Sequence, residues 1–348
     1  MAYDAFLLIS FGGPEHPDDV MPFLRNVVRG RGVPDARLAE VAAHYQHFGG
    51  VSPINAQCRD LLAAVAEDFA AHGVDLSCHW GNRNWRPMLR DTVAQLRDAG
   101  VRRAVAFVTS AYGGYSSCRQ YREDIAAARA AVGPGAPVID KVRHYADHPG
   151  FVAPHADALR AALATLDPAA RDRTRVVFTA HSVPLAAAAA AGPDGHLYET
   201  QLRETAALVA AAAAPDLPYD LVWQSRSGPP QVPWLEPDVN AHLARLAAAG
   251  TAQVAVSPIG FVSDHLEVVW DLDTEAAATA RDLGLGFARA ATPGTDPRFV
   301  TMVRELVTER LAAAAPRRLG TLALADPCPS TCCQSPRARP PARTSPRA

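Results

Sequence analysis

Short apolar runs rich in β-branched residues alternate along this chain with longer segments rich in Ala, Leu and Arg. The short runs predict strands and the longer segments predict helices, because the two element types differ in length and in apolar spacing. Strands are predicted at residues 5–10, 75–79, 103–109, 138–141, 175–179, 219–223 and 253–256. Helices are predicted at residues 56–71, 88–98, 119–131, 149–166, 199–213 and 298–314. This alternation is typical of βαβ units and parallel sheets.

The alternation is interrupted near Leu166-Asp167-Pro168, and this break divides the pattern into two halves. We therefore expect an α/β fold of two similar Rossmann-like lobes, 1–166 and 167–315, with parallel sheets flanked by helices and a cleft between the lobes. The last predicted helix is amphipathic and is expected to pack across both lobes. Residues 316–348 follow as a Cys-containing extension rich in Pro and Arg.

Composition and charge narrow the class of protein. The 348 residues exceed the ~100–200 of one typical domain, and a net charge of −2 gives no drive toward nucleic acid or an anionic membrane. The amino terminus has no basic region, and no apolar run reaches the ~20 residues of a membrane span. We expect a cytoplasmic protein with no transmembrane segment, whose six cysteines do not form disulfides.

A row of acidic residues follows the apolar strand at 254–256 and a Pro-Gly turn. Asp264, Glu267, Asp271 and Glu275 are spaced three, four and four residues apart, which predicts one helical face of four carboxylates. Like charges at this spacing destabilise a helix, so the row requires a cation, a partner or open water. A solvated face and a metal-binding face are both consistent with this segment.

A second candidate lies at the end of the predicted strand that contains residues 176–180. This strand leads into His181-Ser182-Val183-Pro184, and the carboxyl ends of parallel strands line the ligand crevice of α/β sheets. A single histidine at such a place is either structural or catalytic. Together with the carboxylates, it makes a site that can bind a divalent metal and move protons.

Seven segments spread over residues 4–315 carry a resemblance to a known family. They include Gly-Asn-Arg-Asn-Trp at 81–85 and His-Ser-Val-Pro at 181–184, and the full set is 7–14, 49–54, 81–87, 178–184, 223–230, 233–235 and 260–267. In these segments, and in their order, the chain resembles the ferrochelatases, lyases that insert ferrous iron into a porphyrin. The resemblance implies the same two-lobed fold and makes Fe²⁺ and a porphyrin the expected substrates.

The resemblance also implies roles for the acidic row and the histidine. His181 corresponds to the family's proton acceptor and metal contact, and Glu267 corresponds to its partner. Asp271 and Glu275 lie one and two turns further along the predicted helix. We expect them either to relay hydrated Fe²⁺ or hold a second divalent ion, or to form a solvent-exposed helical face.

Six further residues match the family's porphyrin-contact regions. Trp234 corresponds to its stacking aromatic residue, with an ordinary surface tryptophan as the alternative. Arg29, Tyr45, Ser52 and Tyr121 lie in segments that match its propionate-contact regions, as does the neighbouring Arg31. Phe11 departs from the pattern, since many bacterial relatives have an iron-ligating Tyr at this position, so no axial phenolate is expected here.

Three cysteines in the carboxy-terminal extension, Cys328, Cys332 and Cys333, suggest thiolate ligands. Cys118 corresponds to the internal ligand position of cluster-bearing ferrochelatases. Four thiolates suit a [2Fe–2S] cluster, with tetrahedral zinc or a fortuitous Cys-rich tail as alternatives. Cys58 and Cys78, in a predicted helix and strand, are expected to be buried thiols.

Within the family, the chain most resembles actinobacterial members that act on coproporphyrin III. We therefore expect iron insertion into coproporphyrin III, with protoporphyrin IX as the alternative substrate and other enzymes of the haem pathway as transient partners. A non-catalytic haem-binding or sensor protein is a rival hypothesis. Such a protein would not need both His181 and Glu267, so the presence of both favours the enzyme.

Overall fold

The computed structural model describes residues 3–30, 32–228, 230–322, 326 and 328–335. Its strands are β1 (Ala5–Ser10), β2 (Ser77–Asn82), β3 (Arg103–Val108), β4 (Val138–Lys141), β5 (Thr174–His181), β6 (Tyr219–Gln224), β7 (Gln253–Ser257) and β8 (Gly286–Arg289). Its helices are α1 (Val20–Val27), α2 (Asp35–His47), α3 (Ile54–Ala71), α4 (Leu89–Asp98), α5 (Gln120–Val132), α6 (Pro149–Leu163), α7 (Leu185–Ala189), α8 (Leu197–Ala213), α9 (Val239–Ala248), α10 (Leu266–Val268), α11 (Ala277–Asp282) and α12 (Pro297–Ala312). π-helical turns occupy Tyr115–Arg119 and Val269–Ala276, and 3₁₀ turns occupy Pro17–Asp19 and Pro168–Arg173.

The strands form two four-stranded sheets in which every pairing is parallel. The first sheet has the order β2-β1-β3-β4, and the second repeats this arrangement as β6-β5-β7-β8. All residues of β1 and β7 are buried, as expected for central strands covered by helices on both faces of a sheet. The predicted α/β class with two similar lobes is confirmed. We call the part around the first sheet the first lobe and the part around the second sheet the second lobe.

All seven predicted strands are present, and β1 and β4 have the predicted bounds. The strand predicted at 75–79 lies instead at Ser77–Asn82, so its polar carboxyl end extends into the Gly-Asn-Arg-Asn-Trp segment. Strand β8 was missed. It has four residues at the edge of its sheet, begins with Gly286, and buries only Ala288, so it carries almost no apolar alternation.

The two lobes meet where the strands of both sheets end. Tyr112, just after β3, donates a buried hydrogen bond of 2.7 Å from its hydroxyl to the carbonyl oxygen of Ile259, just after β7. The backbone N–H of Asp264 donates to the side-chain oxygen of Gln57 in α3, at 2.9 Å. The carboxyl ends of the two sheets therefore share one cleft region, which is the expected place for ligands in such folds.

Helix α12 packs across both lobes, as predicted. It contacts α3 and β3 of the first lobe as well as α6, which packs on β7 and β8 of the second. Phe299 of α12 lies against Phe107 and Tyr145, and Arg304 pairs with Asp68 of α3 at 2.7 Å. Because α6 precedes residue 166 and yet packs on the second sheet, the lobes are joined by shared helices. The boundary placed at residue 166 stays a prediction.

No helix in the described part of the chain combines the length and apolar character needed to cross a bilayer.

Candidate active site

His181 is the last residue of β5, and the surrounding backbone fixes its position. Its carbonyl oxygen accepts a hydrogen bond of 3.0 Å from the Tyr198 hydroxyl, and the next residue, Ser182, donates its N–H to the Gln224 carbonyl oxygen at 2.8 Å. The ring Nδ1 lies within hydrogen-bonding distance of the Ser182 carbonyl oxygen, which can only accept. Nδ1 therefore carries the proton in the neutral ring, which leaves Nε2 as the basic nitrogen.

Nε2 of His181 faces a carboxylate oxygen of Glu267 at 3.7 Å. Both side chains are partly open, with 35% of His181 and 46% of Glu267 exposed. His181 ends β5, whereas Glu267 lies in α10, ten residues after the last residue of β7, and the sequence predicted that they belong to one site. The pair offers one imidazole nitrogen and one carboxylate to a ligand in the cleft.

Glu267 is held between two buried neighbours that belong to different lobes. Leu266 packs into an apolar cluster of the first lobe that contains Phe23 and Tyr45. Val268 packs into a cluster of the second lobe. The segment is thus anchored on both sides, and the side chain between the two anchors reaches His181.

The prediction of four carboxylates on one helical face is wrong for Asp264. The helix begins only at Leu266, since His265 has extended backbone angles, and Asp264 lies outside it with its carboxylate 3.1 Å from Arg289. Only Glu267, Asp271 and Glu275 remain in the row, and Val269–Ala276 forms a π-helical turn rather than an α-helix. π-helical turns are frequent at functional sites.

Asp271 is the most buried carboxylate of this row. It accepts hydrogen bonds from the Ser225 hydroxyl and from Nε2 of Gln224, which follow one another at the end of β6. Burial raises the pKa of Asp271 to about 7, and the negative charges of Glu267 and Glu275 act in the same direction, although the Ser225 hydrogen bond opposes them. Sequence reasoning assigned no role to Gln224 and Ser225, although both lie in a segment that carried the family resemblance.

Glu275 lies at the exposed end of the row, in contact with Trp270. Its carboxylate accepts from the indole N–H at 2.9 Å. The indole stacks flat on His44 of α2, with ring centres 3.9 Å apart, and His47 approaches its edge. This contact joins the two lobes beside the acidic row, and sequence reasoning missed it because α2 was not predicted. The acids thus extend from the His181 contact to the protein surface.

The predicted porphyrin-contact residues occupy different environments. Trp234 forms a backbone bridge with Pro184, so it lies beside the His181 turn, and its buried indole N–H finds no acceptor among the described residues. Ser52 is buried against Gly13. Arg29 is exposed beyond α1, and Arg31 lies outside the described residues.

Two of the predicted contact residues are buried tyrosines. Tyr45 packs against Phe23, and burial, with a smaller effect of the nearby Glu267 charge, raises its pKa. Tyr121 lies under the guanidinium of Arg83 at 3.9 Å, and burial raises its pKa although its hydroxyl is hydrogen-bonded to Thr109. Their roles as contact residues stay predictions.

Three large apolar side chains are exposed close in sequence to strand ends or to predicted site residues. Phe11 follows β1, Val51 adjoins Ser52, and Leu185 lies four residues after His181.

The tail cysteines lie next to the amino-terminal end of α5. Arg122 donates to the carbonyl oxygens of Cys328 and Pro329, each at 3.3 Å. Burial raises the pKa of Cys328, and the proximity of Cys118 and Cys333 raises it further. Within the described residues, however, no group of three or more His, Cys, Asp or Glu side chains is arranged to hold a metal ion.

The adjacent thiols of Cys332 and Cys333 are 3.4 Å apart, and Cys333 accepts from the N–H of Gly192 at 3.1 Å. Burial and the hydrogen bond with Cys333 raise the pKa of Cys332 to about 12. Cys58 is buried as expected, whereas Cys78 is only half-buried.

Comparison with known proteins gives a consistent assignment. The family model described as Ferrochelatase matches residues 3–311. The protein named coproporphyrin III ferrochelatase from Nocardia farcinica is 59% identical, covering 98% of this chain and 99% of that protein. Proteins of the same name from Mycolicibacterium smegmatis (58%; 92% of this chain, 93% of that protein) and Streptomyces coelicolor (52%; 97% and 95%) are also similar.

Among solved structures, two of the sirohydrochlorin chelatase SirB from Bacillus subtilis share the fold. The structure with cobalt has a TM-score of 0.52 at 12% identity, and the structure with Fe³⁺ has a TM-score of 0.54 at 11% identity. Each comparison covers 89% of this chain and 96% of the other. At this identity the likeness establishes the fold alone.

The raised pKa of Asp271 predicts a pH-dependent cost to stability. Between its usual pKa of 3.8 and about 7, the folded protein keeps a proton that the unfolded chain releases, so stability falls as pH rises through this window. Asp271→Asn removes this effect. It should raise the free energy of unfolding at pH 8 by roughly 2–4 kcal/mol more than at pH 4.

Urea unfolding at both pH values measures this difference. Asp282→Asn, at an exposed position in the following helix, is the matched control and should change stability equally at both. If Asp271→Asn raises the free energy of unfolding equally at pH 8 and pH 4, ionisation of this carboxylate does not destabilise the folded protein.

Proposed function

Because the chain belongs to the ferrochelatase family and is therefore a metal chelatase of the lyase class, we propose that it inserts Fe²⁺ into coproporphyrin III to form Fe-coproporphyrin III in haem biosynthesis. The observation that carries the proposal is the contact of 3.7 Å between Nε2 of His181 and Glu267 in the shared cleft. The names of the similar actinobacterial proteins support coproporphyrin III as the substrate.

Insertion of Fe²⁺ requires the loss of two pyrrole N–H protons. Nε2 of His181 is free to accept a proton because Nδ1–H is directed at the Ser182 carbonyl oxygen. The imidazolium that results is stabilised by the Glu267 carboxylate beside it. Pyrrole N–H is a far weaker acid than imidazolium, so the incoming cation and distortion of the macrocycle must assist.

We propose Asp271 and Glu275 as the path that brings hydrated Fe²⁺ to this pair. Glu275 is exposed, Asp271 is partly exposed and lies between Glu275 and Glu267 along the chain, and Glu267 faces His181, so the three carboxylates form a row that ends at the proposed metal contact. With a pKa of about 7, Asp271 exchanges its proton readily near neutral pH, and an arriving cation displaces it. A proton released from the porphyrin can leave by the same route.

For the porphyrin, we propose Trp234 as the stacking residue, since it lies beside the His181 turn and its indole N–H has no acceptor among the described residues. Exposed Arg29 is suited to a propionate at the rim. Ser52, Tyr45 and Tyr121 complete the proposed set from inside the first lobe.

His181→Ala should abolish iron insertion while the protein still binds the porphyrin, because the proton acceptor is lost and the apolar walls remain. Glu267→Gln should reduce the rate severely through loss of the carboxylate charge. Anaerobic Fe²⁺ insertion and porphyrin fluorescence quenching measure the two properties separately. Substantial turnover by His181→Ala would exclude His181 as the proton acceptor.

Coproporphyrin III should give a higher kcat/KM than protoporphyrin IX, because it presents more carboxylates to the rim. Arg29→Ala should raise KM for coproporphyrin III more than it lowers kcat, since a rim contact contributes equally to the bound substrate and the transition state. The same anaerobic assay with the two porphyrins tests reaction and substrate together. Equal or better use of protoporphyrin IX would reverse the substrate assignment.

We further propose that Cys118, Cys328, Cys332 and Cys333 bind a [2Fe–2S] cluster. The chemistry of four thiols fits such a cluster, and the electrostatic effect of Cys118 and Cys333 on Cys328 indicates that they share one neighbourhood. Arg119 and Arg122 hold the backbone of the tail beside Cys118. The described thiols would have to rearrange to bind metal. The cluster would pin the extension to the first lobe, and insertion itself requires no electron transfer.

The protein purified without oxygen should then be reddish brown and contain about two irons per chain. Cys332→Ser should bleach it and lower its Tm, whereas Cys58→Ser, at a buried thiol in α3, should keep the colour. Metal analysis and the visible spectrum measure both. A colourless protein, or one that contains zinc, would refute the cluster. It would not contradict the proposal that the protein inserts iron.

A further inference from the structure

The acidic segment from Asp264 to Glu275 contains five carboxylates and no internal cation. They are Asp264, Glu267, Asp271, Asp273 and Glu275, and the chain has no Lys or Arg between residues 246 and 280. A cation from elsewhere in the fold must therefore offset their repulsion if the segment is to keep one conformation.

That cation is Arg289, the last residue of β8. Its Nη1 and Nη2 each lie 3.1 Å from an oxygen of Asp264, which makes a bidentate pair. Its Nε lies 2.6 Å from Asp273, and Nη2 lies 3.0 Å from the other oxygen of the same carboxylate. All three nitrogens of the guanidinium are engaged, and only 17% of the side chain is exposed.

The two carboxylates bound by Arg289 flank Glu267 and Asp271 along the chain. Asp264 lies three residues before Glu267, and Asp273 lies two residues after Asp271. Asp273 lies within the π-helical turn Val269–Ala276, and Asp264 lies five residues before the turn begins. Arg289 therefore links the π-helical turn to the stretch that precedes Glu267.

We infer that Arg289 is a positioning residue for iron insertion, which holds Glu267 opposite His181 by clamping Asp264 and Asp273. Its guanidinium binds Asp264 and Asp273, so it acts on Glu267 through them. In β8, the backbone of Arg289 is paired with Val256 of β7. The acidic segment follows β7 along the chain. The clamp is therefore built on the same rigid sheet that carries His181. This inference rests on the proposed role of Glu267.

Replacement of Arg289 tests the clamp. Arg289→Met leaves Asp264 and Asp273 without their cation, so Glu267 should move away from His181. We expect kcat to fall roughly ten- to hundredfold with little change in KM for the porphyrin, since small misplacements of catalytic groups have effects of this size. Arg289→Lys should recover only part of the rate, because an ammonium group cannot bind two carboxylates bidentately.

Arg175→Met is the matched control. Arg175 also binds a carboxylate bidentately, that of Asp220, but it lies near the amino-terminal end of β5, far along the strand from His181. It should lower the Tm in the same way as Arg289→Met and leave kcat per folded molecule unchanged. Equal kcat in Arg289→Met and the wild type would overturn the inference.

Two further measurements separate this inference from the proposed function. If the wild type inserts iron and Glu267→Gln is impaired while Arg289→Met is not, the clamp fails and the function stands. A crystal structure of Arg289→Met gives a result that does not depend on activity. A displaced Glu267 supports the clamp, and an unchanged distance of 3.7 Å between Glu267 and His181 contradicts it.

Discussion

The negative charge of the segment from Asp264 to Glu275 is the constraint on which the cleft depends. Five carboxylates in twelve residues repel one another, and no cation within the segment neutralises them. The fold offsets part of this charge with Arg289 and hydrogen-bonds Asp271 through Gln224 and Ser225. Glu267 has no Lys or Arg partner within the part of the chain that the structure describes, and it faces His181. A divalent cation is the ligand that such an arrangement favours.

This arrangement also requires both lobes to be in place. Leu266 is buried in the first lobe and Val268 in the second, so the position of Glu267 depends on how the two sheets meet. The hydrogen bond from Tyr112 to Ile259 and the stack of Trp270 on His44 add contacts between the lobes near the same segment. A change in how the two lobes pack would therefore change the position of Glu267.

The sequence predicted the parts of this account that have local signals. Apolar β-branched runs identified the strands. The position of His181 at the end of one such run predicted that it lies at the carboxyl edge of the sheet. What it could not predict depends on contacts between distant residues. Arg289 lies on a strand too short to show a pattern, and its ion pair with Asp264 joins residues 25 positions apart in the chain. The hydrogen bonds to Asp271 come from Gln224 and Ser225 at the end of β6. The spacing of residues along the chain does not reveal this contact.

The central claim is that His181 and Glu267 together receive the metal. Anomalous diffraction from crystals soaked anaerobically in Co²⁺, a divalent stand-in for Fe²⁺, tests it most directly. The account predicts a peak about 2.0–2.2 Å from Nε2 of His181 and from a carboxylate oxygen of Glu267. A peak elsewhere in the protein, with none between these two side chains, would contradict it.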